Sequence, residues 1–159
     1  KYLSMHDQLT GLYNRPFFVK EMNRLNKSRE YPITVISTDL DQLKEVNDTR
    51  GHSTGDELIK ACAEVLSAVL RSSDILARVG GDEFVILLPR TDQEAGERIA
   101  ERIRSQLDAY NHDNPHLPVS LSLGVATATS ADLDLEAIYK KADKLMLKEK
   151  MEHRQDYEA

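Results

Sequence analysis

Hydrophobic positions along the chain sort into short extended runs and helical stripes. Ile33-Thr34-Val35-Ile36-Ser37-Thr38-Asp39, opened by Pro32 and rich in β-branched residues, predicts a strand. From about Gly55 to Leu70, Leu58, Ile59, Cys62, Val65, Leu66 and Val69 recur every three or four positions, which predicts a helix with one buried face and Ser53 or Thr54 as its cap. The runs Ile75–Val79 and Phe84–Leu88 stand either side of Gly80-Gly81-Asp82-Glu83 and read as a β-hairpin. Asp92 to about Asn111 predicts a second long helix, with Ala95, Ile99, Ile103 and Leu107 inward. Val119, Leu121, Leu123 and Val125 then alternate with Ser120, Ser122 and Gly124, the period of a half-buried strand. Leu135, Ile138, Tyr139, Ala142, Leu145 and Met146 give a final amphipathic helix, and residues 15–28 an earlier one opening at Pro16. The order helix, strand, helix, hairpin, helix, strand, helix predicts an α+β domain, a central, mostly antiparallel sheet flanked by helices.

At 159 residues the chain is long enough for one domain burying roughly 70% of its unfolded surface. Its 27 acidic residues against 21 basic ones leave a formal net charge of −6, which speaks against a binder of nucleic-acid polymers. The single cysteine, Cys62, excludes an internal disulfide, fits a reducing compartment and, on an apolar stripe, reads as core. No apolar run approaches the roughly 18 residues of a membrane span, and no signal peptide is visible. The domain is therefore expected in the cytoplasm, which is compatible with a membrane-anchored parent protein. Opening at Lys1 rather than at methionine, the chain reads as a piece of a longer one.

Acidic residues stand at turn-like positions: Asp39 and Asp41 at the end of the first strand, Asp82 and Glu83 at the tip of the hairpin. If the hairpin pairs beside that strand, carboxylates from distant sequence converge. Two carboxylates about 4 Å apart repel by roughly 4 kcal/mol at an effective dielectric of 20, so the cluster needs a cation or raised pKa values. Hard oxygen donors favour Mg²⁺. Spacing alone leaves the alternative of solvated turn acids equally open.

Arg78-Val79-Gly80-Gly81-Asp82-Glu83-Phe84 resembles the signature of the GGDEF family of diguanylate cyclases. Asp7-Gln8-Leu9-Thr10-Gly11-Leu12-Tyr13-Asn14-Arg15 is similar to that family's opening motif, Asp39–Asp48 to its metal and nucleotide segment, and Gly51-His52-Ser53-Thr54-Gly55-Asp56 to the motif that follows. The resemblance runs from about Asp7 to Arg154. It implies a domain over residues 7–159 with the palm-like fold of nucleotidyl cyclases, preceded at 1–6 by the end of a helix entering from an upstream sensory module. It also implies condensation of two GTP into cyclic di-GMP, with Mg²⁺ or Mn²⁺ held by Asp39, Asp82, Glu83 and the main-chain carbonyl of Leu40. Asp39, Asp82 and Glu83 would serve catalysis. Gly80 and Gly81 would let the hairpin backbone approach the nucleotide.

The same resemblance assigns guanine recognition to Asp56 and Asn47, a carboxylate and an amide suited to the base's Watson–Crick edge. It assigns the triphosphate to Lys44, Lys150 and Arg154, the last two spaced i, i+4 on the final helix. His52 would line the nucleotide site or make turn hydrogen bonds. His153 stands where the family usually has glycine, Leu147 where it has an aromatic residue and Leu43 where it commonly has Phe. Arg71-Ser72-Ser73-Asp74 resembles the inhibitory site at which the product binds, with Arg98 or Arg102 completing it; a plain helix terminus is the other reading. A two-fold product ring implies a homodimer with two half-sites face to face. The alternative to an enzyme is a silent domain that binds GTP or cyclic di-GMP to regulate a partner.

Overall fold

Strand β1 (Ile33–Leu40) is the middle of the molecule, with all eight of its residues buried. The computed structural model describes residues 2–158, with side chains from Ser4 to Asp156; Lys1 of the expected entering helix and Ala159 lie outside the described residues. Around β1 the chain runs α1 (Tyr2–Met5), α2 (Arg15–Asn26), α3 (Leu43–Arg50), α4 (His52–Val69), β2 (Ile75–Arg78), β3 (Glu83–Leu88), α5 (Gln93–Asp113), β4 (Leu121–Ala128) and α6 (Leu135–Glu158). The strands form one sheet in the order β2-β3-β1-β4, each pairing antiparallel. The α+β prediction is the observed architecture.

Alternate positions of the sheet feed two cores. Ile36, Leu40, Phe84, Ile86, Leu121, Leu123 and Val125 pack under α4 and α5. Ile33, Val35, Val85, Leu87, Ala126 and Ala128 pack against α2 and α6 through Phe18, Met22, Leu135, Ile138 and Ala142. Strand β4 is therefore covered on both faces, not half-buried as its alternation predicts. The period sorts large residues from small ones: leucines and valine face α4 and α5, while Ser122, Gly124 and Ala126 face α6. A Cβ on Gly124 would lie 2.0 Å from the Ala142 carbonyl oxygen and 2.4 Å from the Met146 nitrogen. The missing side chain is what lets the α6 backbone come this close to the sheet.

Several predicted boundaries move. Helix α4 begins at His52 with Gly51 as N-cap and no side-chain cap, so neither Ser53 nor Thr54 caps it; the Thr54 hydroxyl donates to the Arg50 carbonyl instead. Helix α3 was not predicted, because it is short and fully buries no residue, with only the half-buried Leu43 and Val46 packed on the core. In α2 the cap is Asn14, whose side chain accepts the Phe17 N–H, so the helix opens at Arg15 with Pro16 inside its first turn. The Asp92 side chain caps α5 by accepting the Ala95 N–H; Gly96, Ala100, Ile103 and Leu107 face inward, with Ala95 and Ile99 only half-buried. Val119 lies before β4, its N–H and carbonyl both held by the Asn111 side-chain amide. On α6, Leu145 is 41% exposed rather than inward. Cys62 is in the core as predicted.

Replacing Gly124 by alanine drives a methyl into the backbone of α6, an overpacking that costs about 1–3 kcal/mol. Thermal unfolding of Gly124→Ala should show a midpoint lower by roughly 3–10 °C. An unchanged midpoint contradicts the close approach.

Candidate active site

The acidic residues predicted at the strand end and the hairpin do meet. Strand register puts Asp39 opposite Glu83 on the face turned to α6, and the Leu40 N–H donates to the Asp82 carbonyl at 2.8 Å. Asp39 is 8% exposed, and its Oδ1 is buried without a hydrogen-bond partner. Burial, and then the neighbouring Asp82, push the Asp39 carboxyl up to about 7. Burial, then Asp143 and Asp82, likewise raise Glu83 above the usual carboxylate range.

Positive charge answers this cluster, Lys150 at contact distance. The Lys150 ammonium on α6 donates to the Leu40 carbonyl at 3.0 Å and lies 3.4 Å from Asp39 Oδ2 and 3.5 Å from Asp41 Oδ1. Oxygens of Asp39, Leu40 and Asp41 thus converge on a single cationic centre. That convergence and the orphaned Asp39 Oδ1 fit the hard-oxygen donor set of a divalent cation. Among the described residues no three His, Cys, Asp or Glu side chains form a preassembled metal cluster, so substrate and water oxygens would have to complete a shell.

Beside these residues opens a hollow of about 320 Å³, lined at its base by Leu40, Asp41 and Asp82, on one side by Gln42–Glu45, and on the other by Lys150, His153 and Arg154. Three bases, Lys44, Lys150 and Arg154, therefore surround one acidic floor. Asn47, one turn beyond Lys44 on α3, packs over Gly55: a Cβ there would lie 1.8 Å from Asn47 Oδ1. Asp56 follows, exposed, at the start of α4, as does His52. Neither lines the hollow, so Asp56 and His52 on the one hand and Lys44, Lys150 and Arg154 on the other occupy separate stretches of surface joined by α3. Positive φ occurs at Gly11 and Gly51 rather than at Gly80 or Gly81. A Cβ on Gly80 would crowd the Glu83 carboxylate at 3.0 Å, whereas Gly81 has open space around it.

Arg71 and Asp74 are joined at 2.9 Å, with the Asp74 carboxylate also accepting the Arg71 N–H. Arg71 reaches on to the Pro89 carbonyl and the Thr91 hydroxyl. The hollow beside them, about 310 Å³, is lined by Arg71, Ser72 and Asp74 with Tyr13, Leu70 and Leu76. Arg98 and Arg102, both exposed on α5, are not part of that lining.

Sequence reasoning missed several supporting contacts. Asp7 accepts the N–H and hydroxyl of Thr10 and pairs with Arg78 at 3.2 Å, and Arg78 donates to the Gly81 carbonyl at 2.8 Å. The opening motif therefore steadies the acidic hairpin. Asp143, which accepts the Ser37 hydroxyl, stands near Glu83. Asp41 accepts from Ser120 and Ser122 at 2.7 Å each and meets the His153 Nδ1 at 2.8 Å. Nothing in a one-dimensional pattern pairs residues so far apart.

The raised Asp39 pKa carries a sign. From about pH 4 to about pH 7 the unfolded chain has released this proton and the folded chain retains it, so stability in the absence of divalent cations falls as pH rises through that window. Asp39→Asn should flatten this loss and raise the melting midpoint at pH 7 by about 3–8 °C in chelator. A lower midpoint for that variant contradicts the assignment.

The family model described as "Diguanylate cyclase, GGDEF domain" matches residues 4–156. The chain is 36% identical over 155 residues to the probable diguanylate cyclase DgcT of Escherichia coli K12, covering 94% of this chain and 34% of that protein. It is 38% identical over 149 residues to the response regulator PleD of Caulobacter vibrioides, covering 89% of this chain and 33% of that one. It thus spans about a third of the length of these relatives. The GGDEF domain of DgcB from Caulobacter crescentus, solved in complex with c-di-GMP, superposes with a TM-score of 0.84 at 28% identity, over 93% of this chain and 91% of that one. With its palm-like antiparallel sheet and acidic hairpin, the chain belongs to the GGDEF diguanylate cyclase family.

Proposed function

We propose that this chain is an active, metal-dependent diguanylate cyclase domain that joins two GTP into cyclic di-GMP and releases two pyrophosphates. The observation that carries the reading is that the buried Asp39, paired with Lys150, lies beside a hollow lined by Leu40, Asp82, Lys44, Lys150 and Arg154. Asp39 and Asp82, with the Leu40 carbonyl, would hold Mg²⁺ or Mn²⁺, and Glu83 would add a carboxylate from the facing strand. A divalent cation there supplies acidity to the ribose 3′-hydroxyl and neutralises charge on the departing pyrophosphate.

The residues divide the remaining work. In each half-reaction the 3′-oxygen forms a bond to the α-phosphorus as the bond to pyrophosphate breaks. Glu83, whose affinity for a proton is raised, is suited to accept the hydroxyl proton. Lys44, Lys150 and Arg154 bind the triphosphate, with Gly80 and Gly81 on the hairpin beside it. Asp56 accepts from the N1–H and amine of guanine, with Asn47 held over Gly55 beside it and His52 at the rim. One chain carries one such hollow and the product ring is two-fold, so turnover needs a homodimer with the hollows facing. Residues 1–6 would lead from an upstream sensory domain, and Arg71 with Asp74 would bind the product as inhibitor.

Incubation with GTP and Mg²⁺ at protein concentrations that favour dimers should give cyclic di-GMP, resolved by chromatography. Asp82→Ala should lose this turnover at least a hundredfold with an unchanged circular dichroism spectrum, in line with removal of a group acting on transition-state charge, roughly 3 kcal/mol. Tight GTP binding without any product from the unaltered chain would overturn the enzyme in favour of a silent, nucleotide-binding domain. For the inhibitory site, calorimetry should show micromolar binding of cyclic di-GMP that Arg71→Ala removes. Undiminished binding by that variant sinks the site.

A further inference from the structure

We propose that His153 is a positioning residue for the triphosphate-binding end of α6, a task that rests on the nucleotide reading above. Helix α6 is held in two different ways along its length. Up to Met146 it is anchored by buried apolar side chains, Leu135, Ile138, Ala142 and Met146. Beyond Met146, Leu147 and Met151 are 48% and 62% exposed, and among the described residues no apolar side chain of α6 is buried. Yet Lys150 and Arg154, the two bases that α6 lends to the hollow, both lie in this second stretch.

Polar contacts replace the missing core there, and among the described residues His153 makes the last of them. Its Nδ1 lies 2.8 Å from Asp41 Oδ2 and 3.0 Å from the Ser122 hydroxyl. Ser122 and Ser120 already give their hydroxyl protons to Asp41, whose carboxylate can only accept, so Nδ1 is the protonated nitrogen and donates to Asp41. Asp41 is itself immobile: it is 7% exposed and its N–H donates to the Ser120 carbonyl. One turn earlier, Glu149 accepts the Leu123 N–H at 3.2 Å and Arg104 at 3.0 Å. His153 therefore pins the terminal turns of α6 to the rigid ends of β1 and β4, and Arg154 follows it directly in sequence. A helix end without such a tie frays, because its terminal backbone groups lack intrahelical partners.

The test is fluorescence titration with a methylanthraniloyl-labelled GTP and Mg²⁺. His153→Ala should weaken binding about tenfold, the scale of one charge-assisted hydrogen bond. His153→Asn, whose side-chain amide can stand where Nδ1 does, should recover most of the loss. In an Arg154→Ala background, His153→Ala should add little, because the residue being positioned is already gone. Amide hydrogen exchange beyond Met146 should quicken in His153→Ala, with the sheet unchanged. Wild-type affinity in His153→Ala overturns this inference alone. So does a full tenfold loss added on top of Arg154→Ala, which would mean that the two residues act independently. An unaltered chain that binds no labelled GTP overturns the nucleotide reading itself, and the inference falls with it.

Discussion

An acidic side chain at the end of a fully covered central strand is the constraint around which this domain is arranged. Asp39 is taken out of water beside Asp82 and opposite Glu83, and such a group is tolerated only if positive charge comes to it or it keeps its proton. The charge comes from α6, through Lys150. For Lys150 to reach Asp39, α6 must lie close on the sheet, and that closeness explains why β4 presents Ser122, Gly124 and Ala126 to it. The composition of one strand is thus set by the electrostatics of the next.

The hairpin acids are placed by a second chain of contacts. Asp7 holds Arg78, Arg78 holds the Gly81 carbonyl, and Asp82 follows at once. The Asp7 carboxylate is raised by burial, but the Thr10 hydrogen bonds and the Arg78 charge outweigh this and leave it below its ordinary range. It stays ionised next to arginine, which is what a structural anchor requires. Asp39 and Glu83, raised above that range, hold their protons more readily. Two kinds of carboxylate, one fixing and one available, are separated by environment alone.

Much of this was legible in the sequence. β-Branched runs and helical stripes located the four strands and the long helices, because burial of one face imposes a period on the residues. The motif residues Asp82, Lys44, Lys150 and Arg154 do line one hollow, and Asp39 is joined to it through Lys150. What escaped has physical reasons. Helix α3 is eight residues long and packs only the half-buried Leu43 and Val46 on the core, too short a stripe to read. The period in β4 was visible, but period alone does not say whether the second face meets water or a helix packed on glycine. The His153–Asp41 contact joins residues 112 apart, and a histidine in place of a glycine reads as a mere departure until its partner is seen. Arg71 and Asp74 were read as one tetrad, but their mutual ion pair was not foreseen, and Arg98 and Arg102 have no stripe or cap that could tie them to it.

The contact between Lys150 and Leu40 spans 110 residues of sequence, and this separation bears on how the domain folds. Until α6 docks, the acid end of the sheet carries its repulsion uncompensated, so a sheet formed without its last helix is electrostatically incomplete. Charge neutralisation and docking of the final element are therefore one event. The site is not an addition to a scaffold that already stands. It comes into being with the completed fold, and a ligand drawn to it would select the fully assembled molecule over any partial form.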